Sequence, residues 1–472
     1  MNRAAGLAFA LACAACDPAE EAGAADAALD AAVVDAEIIP DATPDGASDG
    51  AADAAPAPGC RLEVPEIIVV KAGGRAHIDL GLTGETTGVA AGVPAGWRTT
   101  LTDDTLSLRV GYEVGTFPVT LQAACTAGGT ADALTTVEVQ PLAWTPVARW
   151  TPGDDGPPAR EYFSMWINPL EPDRLWLFGG FHYEPRQFTT AWDLWSYELD
   201  REVWVEERSA GEPPHLAGGG LAVIPGEMAA FHYGGLGGGG SELPFSLYRF
   251  EHGGLPTWRP VTVADAPEDG TYQPAFFHDP RRGVFLTIGG QGAARTHMDI
   301  RVFDPAALTW TPLAPAPGPA PSGRTGFFWA YDPETERFVA FGGEQGGQAS
   351  GCNCAQDTWA LELAEDPPRW VQLAGPQDPP IGRRNGAYAL DPLGHRLLVW
   401  GGTADGRTSF PGLYALDLDR GHEAWTLVES ERPPPARASG GAVFDAARSR
   451  LLMGFGNGER VYADLWSLPL AP

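Results

Sequence analysis

The sequence predicts an all-β chain: a ring of six small sheets, preceded by a small β-sandwich. Three observations lead there. Gly 60 and Pro 44 make over a fifth of the 472 residues, beside 16 Trp. A chain so rich in turn formers and large aromatics reads as many short strands and tight turns. A run of apolar residues ending in Gly-Gly recurs from residue 175 onward, and a tryptophan-led strand recurs between its copies.

The glycine-terminated strands are Leu175–Gly180, Ala230–Gly235, Phe285–Gly290, Phe338–Gly343 and Leu397–Gly402, with a degenerate sixth at Leu451–Gly456. The aligned positions Gly179, Gly234, Gly289, Gly342, Gly401 and Phe455 stand 55, 55, 53, 59 and 54 residues apart. A steady period of this size marks a repeat architecture. Trp204, Trp258, Trp310, Trp370 and Trp425 follow the first five copies by 21–28 residues. The sixth tryptophan, Trp144, stands at the front, 35 residues before Gly179, where the other Trp-to-next-copy intervals are 30–32. The segment near 142–147 is therefore expected to supply the outer strand of the last sheet. Small sheets packed radially bury one another's faces, and sharing one sheet between front and back fastens the ring.

The remaining strands of each repeat follow from their patterns. Innermost strands are expected from Tyr162, Gly220, Ala275, Gly326, Gly386 and Gly441, and third strands from Asp193, Ser246, Asp299, Asp357, Leu413 and Asp464. Asp-Pro pairs at Asp279, Asp332 and Asp391 supply turns between the first two strands. With Gly-Gly after the second strand, an aromatic or apolar third strand and Trp at the fourth, residues 141–472 resemble the kelch repeat family. The resemblance implies a six-bladed kelch-type β-propeller that binds ligands with the loops of one face, near the axis.

On that face four blades carry arginine just before the innermost strand: Arg160, Arg324, Arg383 or Arg384, and Arg437. His215 and Tyr272 stand nearby in the other two. A ring of guanidiniums suits bidentate binding of a carboxylate or sugar acid; bracing of neighbouring loops is the competing role. The long loops between second and third strands add Tyr183, Glu184, Arg186, Glu242, Arg295, His297, Glu344, Asp405 and Arg407. The expected ligand-binding set is Arg160, Arg324, Arg383, Arg384, Arg437, Glu184 and Glu344. Cys352 and Cys354, in the longest of these loops, are expected to form a local disulfide, with free thiols and metal binding as the alternatives.

Ahead of the ring, residues 60–140 alternate in about seven short runs separated by Gly and Asp clusters, the pattern of a β-sandwich. The stretch Tyr112–Thr120 resembles the late strands of bacterial immunoglobulin-like domains. Cys60 and Cys125 are the cysteines of this unit. In an oxidising compartment they are expected to pair, closing a loop worth about 3–4 kcal/mol.

Residues 1–16 hold Arg3, a short apolar stretch and Ala14-Ala15-Cys16. The stretch is too short to span a bilayer and reads as an export signal. It resembles a bacterial lipoprotein signal, which implies lipidation of Cys16, with Cys13 as the competing site. Residues 17–59 carry 11 acidic residues, 16 Ala and no Lys or Arg, the composition of a disordered spacer. Lys plus Arg number 31 against 61 Asp plus Glu, a net charge of -30, which argues against nucleic acid as a partner.

Galactose oxidase resembles the chain in its kelch-type propeller and an immunoglobulin-like domain. Its copper site needs paired Tyr and His, a Tyr-linked Cys and a ligand from a domain after the propeller. Here His182-Tyr183 and His232-Tyr233 stand in reversed order, and the propeller cysteines are Cys352 and Cys354. No metal or other cofactor is expected. The reading is an exported, lipid-anchored propeller at the cell envelope, without assigned catalytic residues. It would bind a glycan, peptide or protein on its loop face and touch membrane through the lipid only. The alternative is a carbohydrate-active enzyme, similar to galactose oxidase or a sialic-acid mutarotase, with Arg and Glu184, Glu242 or Glu344 as its working groups.

Overall fold

The computed structural model describes residues 59–470 except 103, 149–155, 185–186, 238–242, 268–269, 347–352 and 374–379. The signal with Cys13 and Cys16, the acidic segment up to residue 58, and Cys352 lie outside the described residues. Among the described residues all regular secondary structure is β.

Seven strands make the front unit: β1 (Ile67–Lys71), β2 (Arg75–Asp79), β3 (Thr86–Gly92), β4 (Arg98–Thr102), β5 (Thr105–Arg109), β6 (Gly115–Cys125) and β7 (Thr130–Gln140). They form two sheets, β1-β7-β6-β3 and β2-β5-β4. Along β6, Val119, Leu121 and Ala123 are buried while Thr120 and Gln122 are exposed, the alternation a half-buried strand requires. These residues share a core with Ile78, Leu106 and Leu108 of the second sheet. A disulfide joins Cys60 to Cys125.

Six further sheets follow, each with at least four strands. Their innermost strands are Ser164–Asn168, Gly220–Val223, Ala275–Asp279, Phe328–Asp332, Ala387–Asp391 and Gly441–Asp445. In the first five sheets four strands pair antiparallel in chain order, moving outward, and the second sheet adds Ala210–Gly211 in parallel at its outer edge. The sixth orders Gly441–Asp445, Arg450–Gly454 and Leu465–Pro469, then takes Thr145–Ala148 as its outer strand. Leu142–Ala143 does not extend that strand. It pairs parallel with Ser430–Glu431, because Leu142 is drawn into the core beneath the sandwich.

A backbone feature near the axis links the sheets. Two residues beyond each arginine position stands a left-handed residue: Tyr162 (φ 56), Gly218 (φ 69), Gln273 (φ 52), Gly326 (φ 62), Asn385 (φ 57) and Ser439 (φ 55). Five of the six N–H groups donate to the counterpart in the preceding sheet. Gly218 donates to Tyr162 O at 2.7 Å, Gln273 to Gly218 O at 2.7 Å, and Asn385 to Gly326 O at 2.8 Å. Ser439 donates to Asn385 O at 2.5 Å, and Tyr162 to Ser439 O at 3.3 Å, so the first sheet is bonded to the sixth. The Gly-Gly pairs serve close approach. At Gly234 (φ +71) a Cβ would sit 2.2 Å from Thr271 O of the next repeat, so no side chain fits.

The sandwich docks on the fifth sheet. Arg396, fully buried, donates to Tyr112 Oη at 2.8 Å, to Gly73 O at 3.2 Å and to Asp391 at 2.7 Å. Arg109 reaches Asp419 at 2.7 Å, and Arg98 reaches it at 2.6 Å. One apolar cluster runs from Val119 and Val137 through Leu142 and Trp144 to Leu398, Trp400 and Met453, so the two units share a core.

Asp419 also holds His395, which bonds Asp332 at 2.8 Å with its other nitrogen. The bond to Asp332 leads in raising the His395 pKa, against burial that lowers it, and Asp419 adds to the rise. The same contacts hold Asp332 and Asp419 below the carboxylate range, although burial alone would raise them. A raised histidine stabilises the fold fully below its unfolded pKa of about 6.5, and the contribution is lost as pH rises through the folded value. Melting of wild type against His395→Gln is therefore expected to differ most near pH 6 and to converge as pH rises through the folded value. Curves that stay parallel across that window would contradict the assignment.

Candidate functional site

The arginine positions are built alike in three sheets. Arg160 donates to Pro158 O at 3.1 Å and Gly179 O at 3.0 Å, and forks onto Asp193 at 2.9 and 2.6 Å. Arg324 does the same with Ser322 O, Gly342 O and Asp357. Arg437 repeats it with Pro435 O, Phe455 O and Asp464. Each aspartate also accepts from the indole two residues on: Trp195 at 2.7 Å, Trp359 at 2.7 Å and Trp466 at 2.8 Å. All three arginines are 0% exposed. Burial alone would raise the three aspartates, but the guanidiniums prevail and hold each below the usual carboxylate range.

Arg160, Arg324 and Arg437, expected as ligand-binding residues with loop bracing as the competing role, spend these donors inside their own repeats. Each ties the chain before the innermost strand to the glycine turn and to the third strand of its own repeat. In the second and third sheets this position holds Leu216 and Thr271, one residue from the expected His215 and Tyr272. His215 is exposed and stacks on Trp192 at 5.6 Å, whereas Tyr272 is buried.

Arg383 departs from the pattern. It is 2% exposed and donates to Ile381 O at 3.0 Å and Gly401 O at 3.1 Å. The aspartate position of its repeat is Gly412, and the tryptophan position is Tyr414.

Side chains gather at the axis from the left-handed residues of alternate repeats. Gln273 Nε2 donates to Asn385 Oδ1 at 2.9 Å, and Asn385 Nδ2 donates to Tyr162 Oη at 3.0 Å. The tilted rings of Tyr162 and Tyr272 lie 5.8 Å apart. Burial, reinforced by Glu161, pushes the Tyr162 hydroxyl up to about 12. Together they form a half-buried polar floor. Around it Arg384 pairs with Glu344, and Asn457 donates to Glu161. The sequence reading missed Tyr162, Gln273, Asn385 and Glu161. The available signal was their fixed place beyond each arginine position, in line with Gly218 and Gly326.

The other rim residues are dispersed. The Glu184 side chain, Arg186 and Glu242 lie outside the described residues. Arg295 pairs with exposed Asp299. Asp405 caps its own loop, accepting from the N–H groups of Thr408 and Arg407, which holds its pKa at about 2. His232 packs between Phe178 and Trp258, and burial depresses it to about 4. Cys354 is disulfide-bonded. Among the described residues no group of three His, Cys, Asp or Glu side chains converges as a metal cage. Among the described residues no helix is long and apolar enough to cross a membrane.

Fold and repeat pattern define a kelch-type β-propeller. The comparison with known proteins agrees: the chain is 26% identical over 356 residues to Adagio-like protein 3 of Oryza sativa subsp. japonica, a kelch-repeat F-box protein. The match covers 73% of this chain and 53% of the relative, so the chain spans about half the length of the curated relative it matches. No family model matches the chain.

Proposed function

We propose that the chain is a protein-binding module: a closed six-bladed propeller whose axial loop face receives a partner. The hydrogen-bonded floor carries this reading. Tyr162, Gln273 and Asn385 fill the axis with partly exposed polar groups already bonded to one another. Such a surface is pre-ordered, and a partner meets it without an ordering cost. The bonds from Tyr162 to Ser439 and the outer strand Thr145–Ala148 support six blades and closure. The kelch-repeat relative supports protein as the partner class. Glu161 and Glu344 hold Asn457 and Arg384, which favours recognition over acid–base work on a sugar.

The front unit belongs in this reading as an immunoglobulin-like spacer docked on the ring. Residues 1–16 support export with Cys16 as a lipid anchor, which palmitate labelling lost in Cys16→Ser would mark. Hydrogen exchange on the partner-bound full chain tests the face itself. Protection is expected in the loops around Tyr162, Gln273, Glu344 and Asn385. Protection confined to the sandwich or to the opposite face would remove the proposal.

A further inference from the structure

We infer that the fifth repeat holds a vacant carboxylate slot, built around Arg383 and left open by Gly412, that takes the carboxylate of a partner's Asp or Glu side chain. The inference deepens the protein-binding reading, since it names the chemistry one blade accepts.

The slot is defined by its three occupied counterparts. In the first, fourth and sixth repeats the buried guanidinium makes the same two backbone contacts and then forks onto an aspartate at the head of the third strand. Arg383 keeps both backbone contacts, to Ile381 O and Gly401 O, at nearly the same distances. Its outer edge still points where the aspartates stand, but the residue there is glycine. No carboxylate among the described residues bonds or pairs with Arg383. Its other neighbours are the face of Phe410, 4.4 Å from the guanidinium carbon, and Tyr414, whose ring lies at 5.0 Å and whose neutral hydroxyl hydrogen-bonds the guanidinium without supplying a counter-charge.

Phe410 does not fill the vacancy. Its counterpart Tyr462 covers Arg437 at 4.2 Å while Asp464 occupies the slot beside it. Gly412 stands at φ +98, where side chains are rarely tolerated, and a Cβ there would meet Leu427 at 3.3 Å and Tyr414 at 3.7 Å, so the repeat does not readily supply the acid itself. The slot opens outward. The aspartate side chains in the three occupied slots are 21%, 25% and 15% exposed, although the arginines beneath them are fully buried. An anion reaches the position from solvent without unfolding the repeat.

A buried guanidinium without a counter-charge is unfavourable, and a planar carboxylate matches its fork with two parallel bonds. Burial draws the Arg383 pKa below the ordinary guanidinium value, and the Tyr414 hydroxyl works against it. Aromatic faces attract the cation but do not neutralise it. A protein partner fits this recess because an Asp or Glu side chain carries the carboxylate on a short stem.

Titration of the full chain with acetate tests the slot without any partner. Acetate is expected to raise the unfolding midpoint saturably, where chloride at equal ionic strength does not, because a ligand of the native state stabilises it by mass action. The shift is expected to vanish in Arg383→Met. Asp464→Gly, which empties a second slot, is expected to enlarge it. Broadening of the carboxylate signal of labelled acetate by wild type reads binding directly should a variant fail to fold. No response beyond chloride in wild type, or a full response in Arg383→Met, overturns the inference. A second arm compares a short aspartate-bearing peptide with its asparagine counterpart. Preference for aspartate supports a protein source, and acetate binding without that preference overturns it in favour of a small free carboxylate. The acetate result depends on the slot alone, so its failure is distinct from failure of the hydrogen-exchange test.

Discussion

Asp464→Asn is expected to destabilise the protein by about 3 kcal/mol, the lower part of the range for breaking a buried ion pair. The charge removed is partly exposed, but the one left behind is not. Arg437 is 0% exposed and would keep its bonds to Pro435 O and Phe455 O while losing the fork at 2.6 and 3.1 Å. Trp466 would lose its anionic acceptor as well. Arg437→Met is expected to cost less, because the abandoned carboxylate reaches water. Urea unfolding of both variants checks the order, and a loss under about 1 kcal/mol in Asp464→Asn would place the energy elsewhere. Folded Asp464 titrates below its unfolded value, so the gap is expected to hold above pH 5 and to shrink as pH falls through the folded pKa. Below the folded pKa the two chains should unfold nearly alike.

Trp144→Ala carries the other large expected effect, about 4 kcal/mol, the cost of emptying a buried tryptophan site. Trp144 is 0% exposed, meets Trp400 edge to face at 5.4 Å and donates to Ser430 Oγ at 3.1 Å. It stands one residue before Thr145–Ala148, the outer strand of the sixth sheet, and within the core shared with the sandwich. Losing it creates a cavity and loosens the strand that joins the front of the chain to its back. Hydrogen exchange should quicken in Thr145–Ala148 and Leu465–Pro469 before other sheets respond. Trp144→Phe keeps most of the volume and should recover over half the loss. A Trp144→Ala chain that melts like wild type would mean this strand does not secure the fold.

Much of the fold was legible because each repeat must bury its own faces. Gly-Gly marks the end of the second strand in five of the six repeats, and the tryptophans mark the outer strands. The 35-residue gap before Gly179 located the strand that completes the last sheet. The site was half legible. Arg160, Arg324 and Arg437 stand out by recurrence, and so do Asp193, Asp357 and Asp464. That they bind each other, across about 30 residues of chain, follows only when the turn after the second strand folds the third strand back beside them. The floor residues were hidden because Tyr, Gln, Asn, Ser and two Gly share no side-chain chemistry. What they share is a left-handed backbone.

By itself the sequence determined an all-β chain, the strand order within each repeat and the partners of the Cys60–Cys125 bond. These are local or periodic facts, written in spacing and residue type. Only the tertiary structure decided that three arginines are braces, that Arg383 lacks its acid, and that the sandwich rests on Arg396, Asp417 and Asp419. Those outcomes depend on which groups meet across long stretches of chain once water is excluded. There a buried charge must find its counter-ion, and a one-residue difference such as Gly412 decides whether it does.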